Sequence, residues 1–147
     1  MEHKEFIKFL NEILTQYGFK KKGNKWFGES NDLLKVVDLQ RSLYGNSYYL
    51  DYGFILKKIE LGSLRMHISY GFGSNVLEKN NRIKELLNFE NNINDEQRKL
   101  ELSNYIEDIL LAVTQNVETE SDLLNEIMKM QNLNLVPLRI KKHFSLS

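Results

Sequence analysis

Apolar side chains near the start of the chain recur at three- and four-residue steps. Phe6, Phe9, Leu10, Ile13, Leu14 and Tyr17 therefore share one face, which predicts a helix over residues 4–17. Gly18 follows, and a glycine just past the last periodic residue can take the left-handed conformation that closes a helix. The period then shortens. After the polar, turn-rich Lys20 to Lys25, the aromatic pair Trp26-Phe27 predicts a first strand. Leu33 to Ser42 predicts a second, with Asp38, Gln40 and Ser42 on one side and Val37, Leu39 and Arg41 on the other. Tyr44-Gly45-Asn46-Ser47 carries a hairpin turn signal. Tyr48, Leu50, Tyr52, Phe54 and Leu56 alternate in a third strand over Tyr48 to Lys58. Leu64, Met66, Ile68, Tyr70 and Phe72 alternate with Arg65, His67, Ser69 and Gly71 in a fourth.

Beyond Asn80 the helical period returns. Ile83, Leu86 and Leu87 mark a short helix, and Asn94-Asp95-Glu96-Gln97 reads as a capping box. A long helix with the stripe Leu102, Ile106, Ile109, Leu110, Val113 and Val117 comes next. Thr119 to Asp122 caps a last helix whose core positions are Leu123, Leu124, Ile127 and Met128. From Asn132 the pattern fades. Pro137 interrupts it, and Leu138-Arg139-Ile140-Lys141 reads either as an added edge strand or as a loose basic end. The order is that of an α+β fold: a four-stranded antiparallel meander with one N-terminal helix and three C-terminal helices packed mainly on one face. At 147 residues it is expected to be a single domain over 1–147, with 132–147 as its least defined part.

Composition sharpens this picture in two respects. There is no Cys, which removes disulfides, thiolate metal sites and Cys nucleophiles and suits a reducing compartment. No signal peptide or membrane span is visible, so the expected location is cytoplasmic. The formal charge is zero, but it is unevenly spread. Residues 1–84 carry 14 basic and 9 acidic side chains, residues 85–126 carry 2 and 11, and residues 127–147 carry 4 and 0. An acidic block of this kind either packs beside the basic parts of its own chain or steers a basic partner.

Motifs for nucleotide, zinc, calcium or serine-hydrolase chemistry are missing. Gly71-Phe72-Gly73-Ser74 has two glycines of a phosphate loop but lacks the third and the βαβ context, and reads as a strand end. The one polar cluster arises from the pairing. A turn centred on Gly45-Asn46 places Gln40 opposite Asp51 and Ser42 opposite Tyr49, and the fourth strand adds Arg65, His67 and Ser69 on the same side. Gln40, Ser42, Tyr49, Asp51, Arg65, His67 and Ser69 thus form the candidate binding surface. An antiparallel sheet also commonly leaves such a face simply solvated. Asp51 beside His67 would allow acid-base chemistry. Lys20, Lys21, Lys22 and Lys25 beside Trp26 and Phe27 would allow contact with nucleic acid, against which the acidic block and the neutral total weigh.

The runs Gly18-Phe19-Lys20-Lys21-Lys22-Gly23-Asn24-Lys25-Trp26-Phe27, Val36-Val37-Asp38-Leu39-Gln40-Arg41-Ser42 and Tyr48-Tyr49-Leu50-Asp51-Tyr52-Gly53 are the most distinctive in the chain. Together with His67, Asp95-Glu96-Gln97-Arg98 and Ser121-Asp122-Leu123-Leu124, they resemble the bacterial family called domain of unknown function 4304. The resemblance runs from the first helix to about Leu133. At Asp51 the family pattern more often has Asn, so a charge stands where a neutral hydrogen-bonding group is usual. The resemblance implies a small α+β domain, with no established activity, catalytic residue or cofactor to carry over. The expected function is a non-catalytic protein-binding module, such as an immunity or accessory protein engaging a basic partner. The alternatives are a small enzyme built on Asp51, Arg65 and His67, or nucleic-acid binding through the lysine loop. No cofactor and no metal are expected, and the oligomeric state is open.

Overall fold

The computed structural model describes residues 1–130 and 132–146. Helix α1 (His3–Thr15) buries Phe6, Phe9, Leu10 and Leu14 along the predicted face. Burying each such side chain contributes roughly 1.5–3 kcal/mol. Its end is closed as expected: Gly18 adopts φ +87°, and the Phe19 N–H donates to the Leu14 carbonyl at 3.2 Å. Five strands follow: β1 (Lys20–Lys22), β2 (Lys25–Glu29), β3 (Leu33–Arg41), β4 (Tyr48–Leu56) and β5 (Ile68–Gly71). They form one antiparallel sheet in the order β1-β2-β3-β4-β5.

The sheet therefore has five strands, not four. The additional one is β1, whose three lysines are all exposed and carry no apolar alternation to reveal a strand. Gly23, at φ +65°, turns it into β2. A lysine-lined edge strand resists pairing with another chain.

Helix α2 (Leu77–Leu87) buries the expected Ile83, Leu86 and Leu87. The long helix comprises α3 (Asp95–Tyr105), a π-helical turn (Ile106–Leu111) and α4 (Ala112–Thr114). The wide turn accommodates one extra residue and rotates the remainder of the helix about its axis. Leu111 and Thr114 consequently join Leu102, Ile106 and Leu110 in the interior, while Ile109 and Val113 are half-buried. Asn94 caps α3 through its side chain, but Gln97 reaches Glu101 instead of closing the box. Thr119 and Asp122 do form a reciprocal capping box on α5 (Glu120–Met128). Within α5, Leu123 and Ile127 are buried and Met128 is exposed.

The tail is neither a strand nor loose. A short 3-10 turn at Leu133–Leu135 leads to α6 (Leu138–His143), which starts after Pro137 and buries Ile140. A proline at a helix start loses no hydrogen bond. The final residue of the expected tail lies outside the described residues.

All the helices lie against one side of the sheet. Trp26, Val37, Leu39, Tyr48, Leu50 and Tyr52 pack with α1, α2, α3 and the π turn. Leu33, Phe54, Leu56 and Ile68 pack with Val117, α5, Val136 and α6. Tyr70 and Val113 touch both clusters. Lys35 also points to this side, and its ammonium escapes by pairing with Glu118 at 2.5 Å. Among the described residues, no helix is long and apolar enough to cross a membrane.

Candidate functional site

Cross-strand partners share a face, so the register defines what the outer side of the sheet presents. One row runs Lys22, Lys25, Asp38, Asp51 and Gly71, and the next runs Lys20, Phe27, Val36, Gly53 and Ser69. Gln40 and Tyr49 form a shorter row beyond them. The β3 to β4 register is two residues away from the predicted one: Asp38, not Gln40, lies opposite Asp51, and Tyr49 lies opposite Gln40. The cause is the turn. It spans 42–47 and is closed by the Ser42 N–H donating to the Ser47 carbonyl at 2.8 Å, so it is not a two-residue turn on Gly45-Asn46. A two-residue shift preserves side-chain parity, and Gln40, Tyr49 and Asp51 remain on one face.

Two carboxylates directly opposite each other repel. Arg65 resolves this by placing Nη1 2.6 Å from Asp38 and Nη2 2.9 Å from Asp51. Asp38 is only 4% exposed, whereas Arg65 is open to solvent. Hydrogen bonds to Asp38 and Asp51 raise the guanidinium pKa further, so Arg65 keeps its positive charge. Asp38 belongs to the cluster on this geometry and was missing from the predicted set. Its alternation with Gln40 was visible, but a partner 27 positions away was not.

His67 is not on this face. The expected strand from Leu64 starts only at Ile68, and His67 is 2% exposed at the sheet edge. Its N–H donates to the Phe54 carbonyl at 2.9 Å although Phe54 is registered with Ile68, the two-against-one arrangement of a β-bulge. The imidazole Nδ1 accepts from the Leu56 N–H at 3.0 Å, and Nε2 lies 3.1 Å from the Glu60 carbonyl. Both ring nitrogens are thus engaged by main chain. Burial lowers the pKa of the ring, against a smaller opposing pull from the Glu60 carbonyl.

Of the other predicted residues, Ser69 is exposed on the outer face, and Ser42 sits in the turn, where Oγ accepts from the Tyr44 N–H. The structure brings together Gln40, Tyr49, Asp51, Arg65 and Ser69, adds Asp38, leaves Ser42 at the turn one row beyond Gln40, and separates His67. Beside Tyr49, which is 57% exposed, the turn projects Leu43 and Tyr44 almost wholly into solvent, at 91% and 97%. Glu90 stands against this turn, its Oε1 3.1 Å from where a Cβ on Gly45 would lie. Hydrogen bonding of the Phe89 N–H to Asn46 and a bridge between Ser47 and Asn88 fix that neighbourhood. A cleft of about 450 Å³ opens next to it, between Tyr49 and Asp51 on one side and Asn80 and Lys84 on the other.

Much of the acidic block is used inside the molecule. Glu85 and Glu101 pair with Arg82, Glu118 with Lys35, Glu120 with His143 and Lys58, and Glu126 with Lys129. Glu90, Glu96, Glu107 and Asp108 are exposed, with no ion pair among the described residues. In the lysine region Trp26 is fully buried, its Nε1 donating to Asn11 at 3.0 Å, so it offers no stacking surface. Among the described residues, no group of three or more His, Asp or Glu is placed to hold a metal ion.

A family model described as Domain of unknown function (DUF4304) matches residues 10–116. The match runs from within α1 to just beyond α4 and takes in the whole sheet, Arg65, His67 and Arg98. It stops short of Leu133, leaving α5 and α6 outside it. No curated protein and no solved structure matches the chain.

Proposed function

We propose that this chain, which belongs to the DUF4304 family, is a non-catalytic protein-binding module. The observation that carries the reading is the turn between β3 and β4. Leu43 and Tyr44 are the two most exposed large apolar side chains among the described residues, and Tyr49, in β4 just after the turn, is more than half exposed. Exposed aromatic and leucine side chains offer apolar area that a partner can bury, with tyrosine the more common anchor. The partner's chemistry is set by the groups around the anchors. Glu90 abuts the turn with no paired cation among the described residues, and Glu96, Glu107 and Asp108 add exposed negative charge, which suits a basic protein surface. A role as an immunity or accessory protein would fit such a surface.

The test is affinity capture from the native host, followed by titration calorimetry with the purified partner. Leu43→Ala combined with Tyr44→Ala should weaken binding at least tenfold, as loss of an interface anchor does. Glu90→Lys should weaken it more at low salt than at high salt. Unchanged affinity in the double variant, with Lys21→Ala and Lys22→Ala abolishing binding instead, would replace this reading with an anionic partner on β1.

A further inference from the structure

The segment 57–67 leaves the end of β4, packs Ile59 into the helix-side cluster and passes Arg139 of α6 at Gly62, and only Arg65 and Met66 reach the outer face before the chain returns to the sheet at β5. Its last three residues pin it there. Arg65 spans Asp38 and Asp51, and Met66 is buried with Sδ over Gly53, 2.8 Å from where a Cβ on that glycine would lie. His67 supplies the ring that the Leu56 N–H needs as acceptor, in place of a main-chain carbonyl.

A main-chain N–H can only donate and a carbonyl can only accept. One form of His67 therefore satisfies both neighbours: the neutral ring, with its proton on Nε2 directed at Glu60 and a bare Nδ1 facing Leu56. The imidazolium has no acceptor and would set two N–H groups against each other. We infer that His67 is a proton-sensitive latch, which in its neutral form holds the Arg65–Met66 end of segment 57–67 against the outer sheet face and on protonation releases it. Release uncovers Gly53 and withdraws Arg65 from the Asp38–Asp51 pair.

The charged surroundings favour the neutral form. Arg139 of α6 donates to the same Glu60 carbonyl at 3.1 Å and brings a positive charge towards the ring. Lys57 and Lys58 follow Leu56 in the chain and are paired with Glu29 and Glu120, and the Arg65 guanidinium is held by its two carboxylates. The Glu60 side chain is exposed and lies 3.9 Å from Arg139. Among the described residues, no carboxylate hydrogen-bonds the imidazole to stabilise its cation.

Amide hydrogen exchange of the full chain, expressed as protection factors from pH 7.5 downward, tests the latch together with nitrogen NMR of the ring. The ring should carry its proton on Nε2 at neutral pH. As it protonates, protection at Leu56 and across 57–67 should fall by up to about tenfold per pH unit, while Trp26 and Val37 keep theirs. His67→Asn places a non-titrating acceptor where Nδ1 lies, and protection should then hardly change with pH. Three results would each overturn the latch: a proton on Nδ1, titration of the ring without loss of protection at Leu56, or parallel loss at every sheet amide. The first two are read on the unaltered protein, so they decide the question even if the variant does not fold.

Discussion

A Cβ on Gly53 would lie 1.8 Å from the Ile68 carbonyl oxygen and 2.8 Å from Met66 Sδ. Backbone cannot move aside as a flexible side chain can, so Gly53→Ala forces β4 and β5 apart. The expected loss is at the upper end of the overpacking range, about 3 kcal/mol, measured as a lower urea midpoint. Glycine is required here by close approach, whereas at Gly18 the requirement is a positive φ. The same few ångströms explain why the candidate surface was only half legible. Alternation correctly placed Gln40, Tyr49, Asp51 and Ser69 on one side, because a two-residue error in register leaves parity intact. It failed at His67, where the bulge breaks the period of two and turns the ring into the edge of the sheet.

At the scale of elements, periodicity identified those whose pattern is their own and missed those defined by a neighbour. β4 and α2 bury every residue their spacing marks and β3 buries Val37 and Leu39, while α1 and α5 bury only part of their sets, with Ile13 and Leu124 half-buried and Tyr17 and Met128 exposed. β1 has no apolar signal and exists because β2 offers it a partner, and α6 is stabilised by Ile140 reaching a cluster built from distant strands. Arg98 shows the same dependence. It is buried in the first turns of α3 and donates to the carbonyls of Leu86, Asn88 and Asn91, with its guanidinium 4.5 Å from the Phe89 ring. One side chain thus terminates α2 and fastens the following loop to the next helix. Arg98→Met would take the side-chain donor from the buried Leu86 carbonyl, whereas Asn88 and Asn91 keep their main-chain donors, and a loss of about 1–3 kcal/mol is expected. The accompanying sign is faster hydrogen exchange across 86–94 before the strands exchange.

For the whole molecule, pH acts from both sides. Glu101 is held below its ordinary pKa chiefly by the Arg82 hydrogen bond, so its contribution is complete above about 4.5 and fades as pH falls through the lower folded value. Tyr52 and Tyr70 stack with ring centres 5.2 Å apart, and burial pushes both up to about 12 from 10 in an unfolded chain. A raised tyrosine favours the neutral fold, so the contribution of these two rings is full below pH 10 and declines towards pH 12. Alkaline titration should show two tyrosines ionising only as circular dichroism is lost. A sheet whose spatial and sequence orders coincide has a further consequence. Every ladder can zip from a connection already in place, at 23–24, 30–32, 42–47 and 57–67. The search for partners is therefore local, and such chains reach the native state sooner than β-rich proteins that must first bring remote strands together.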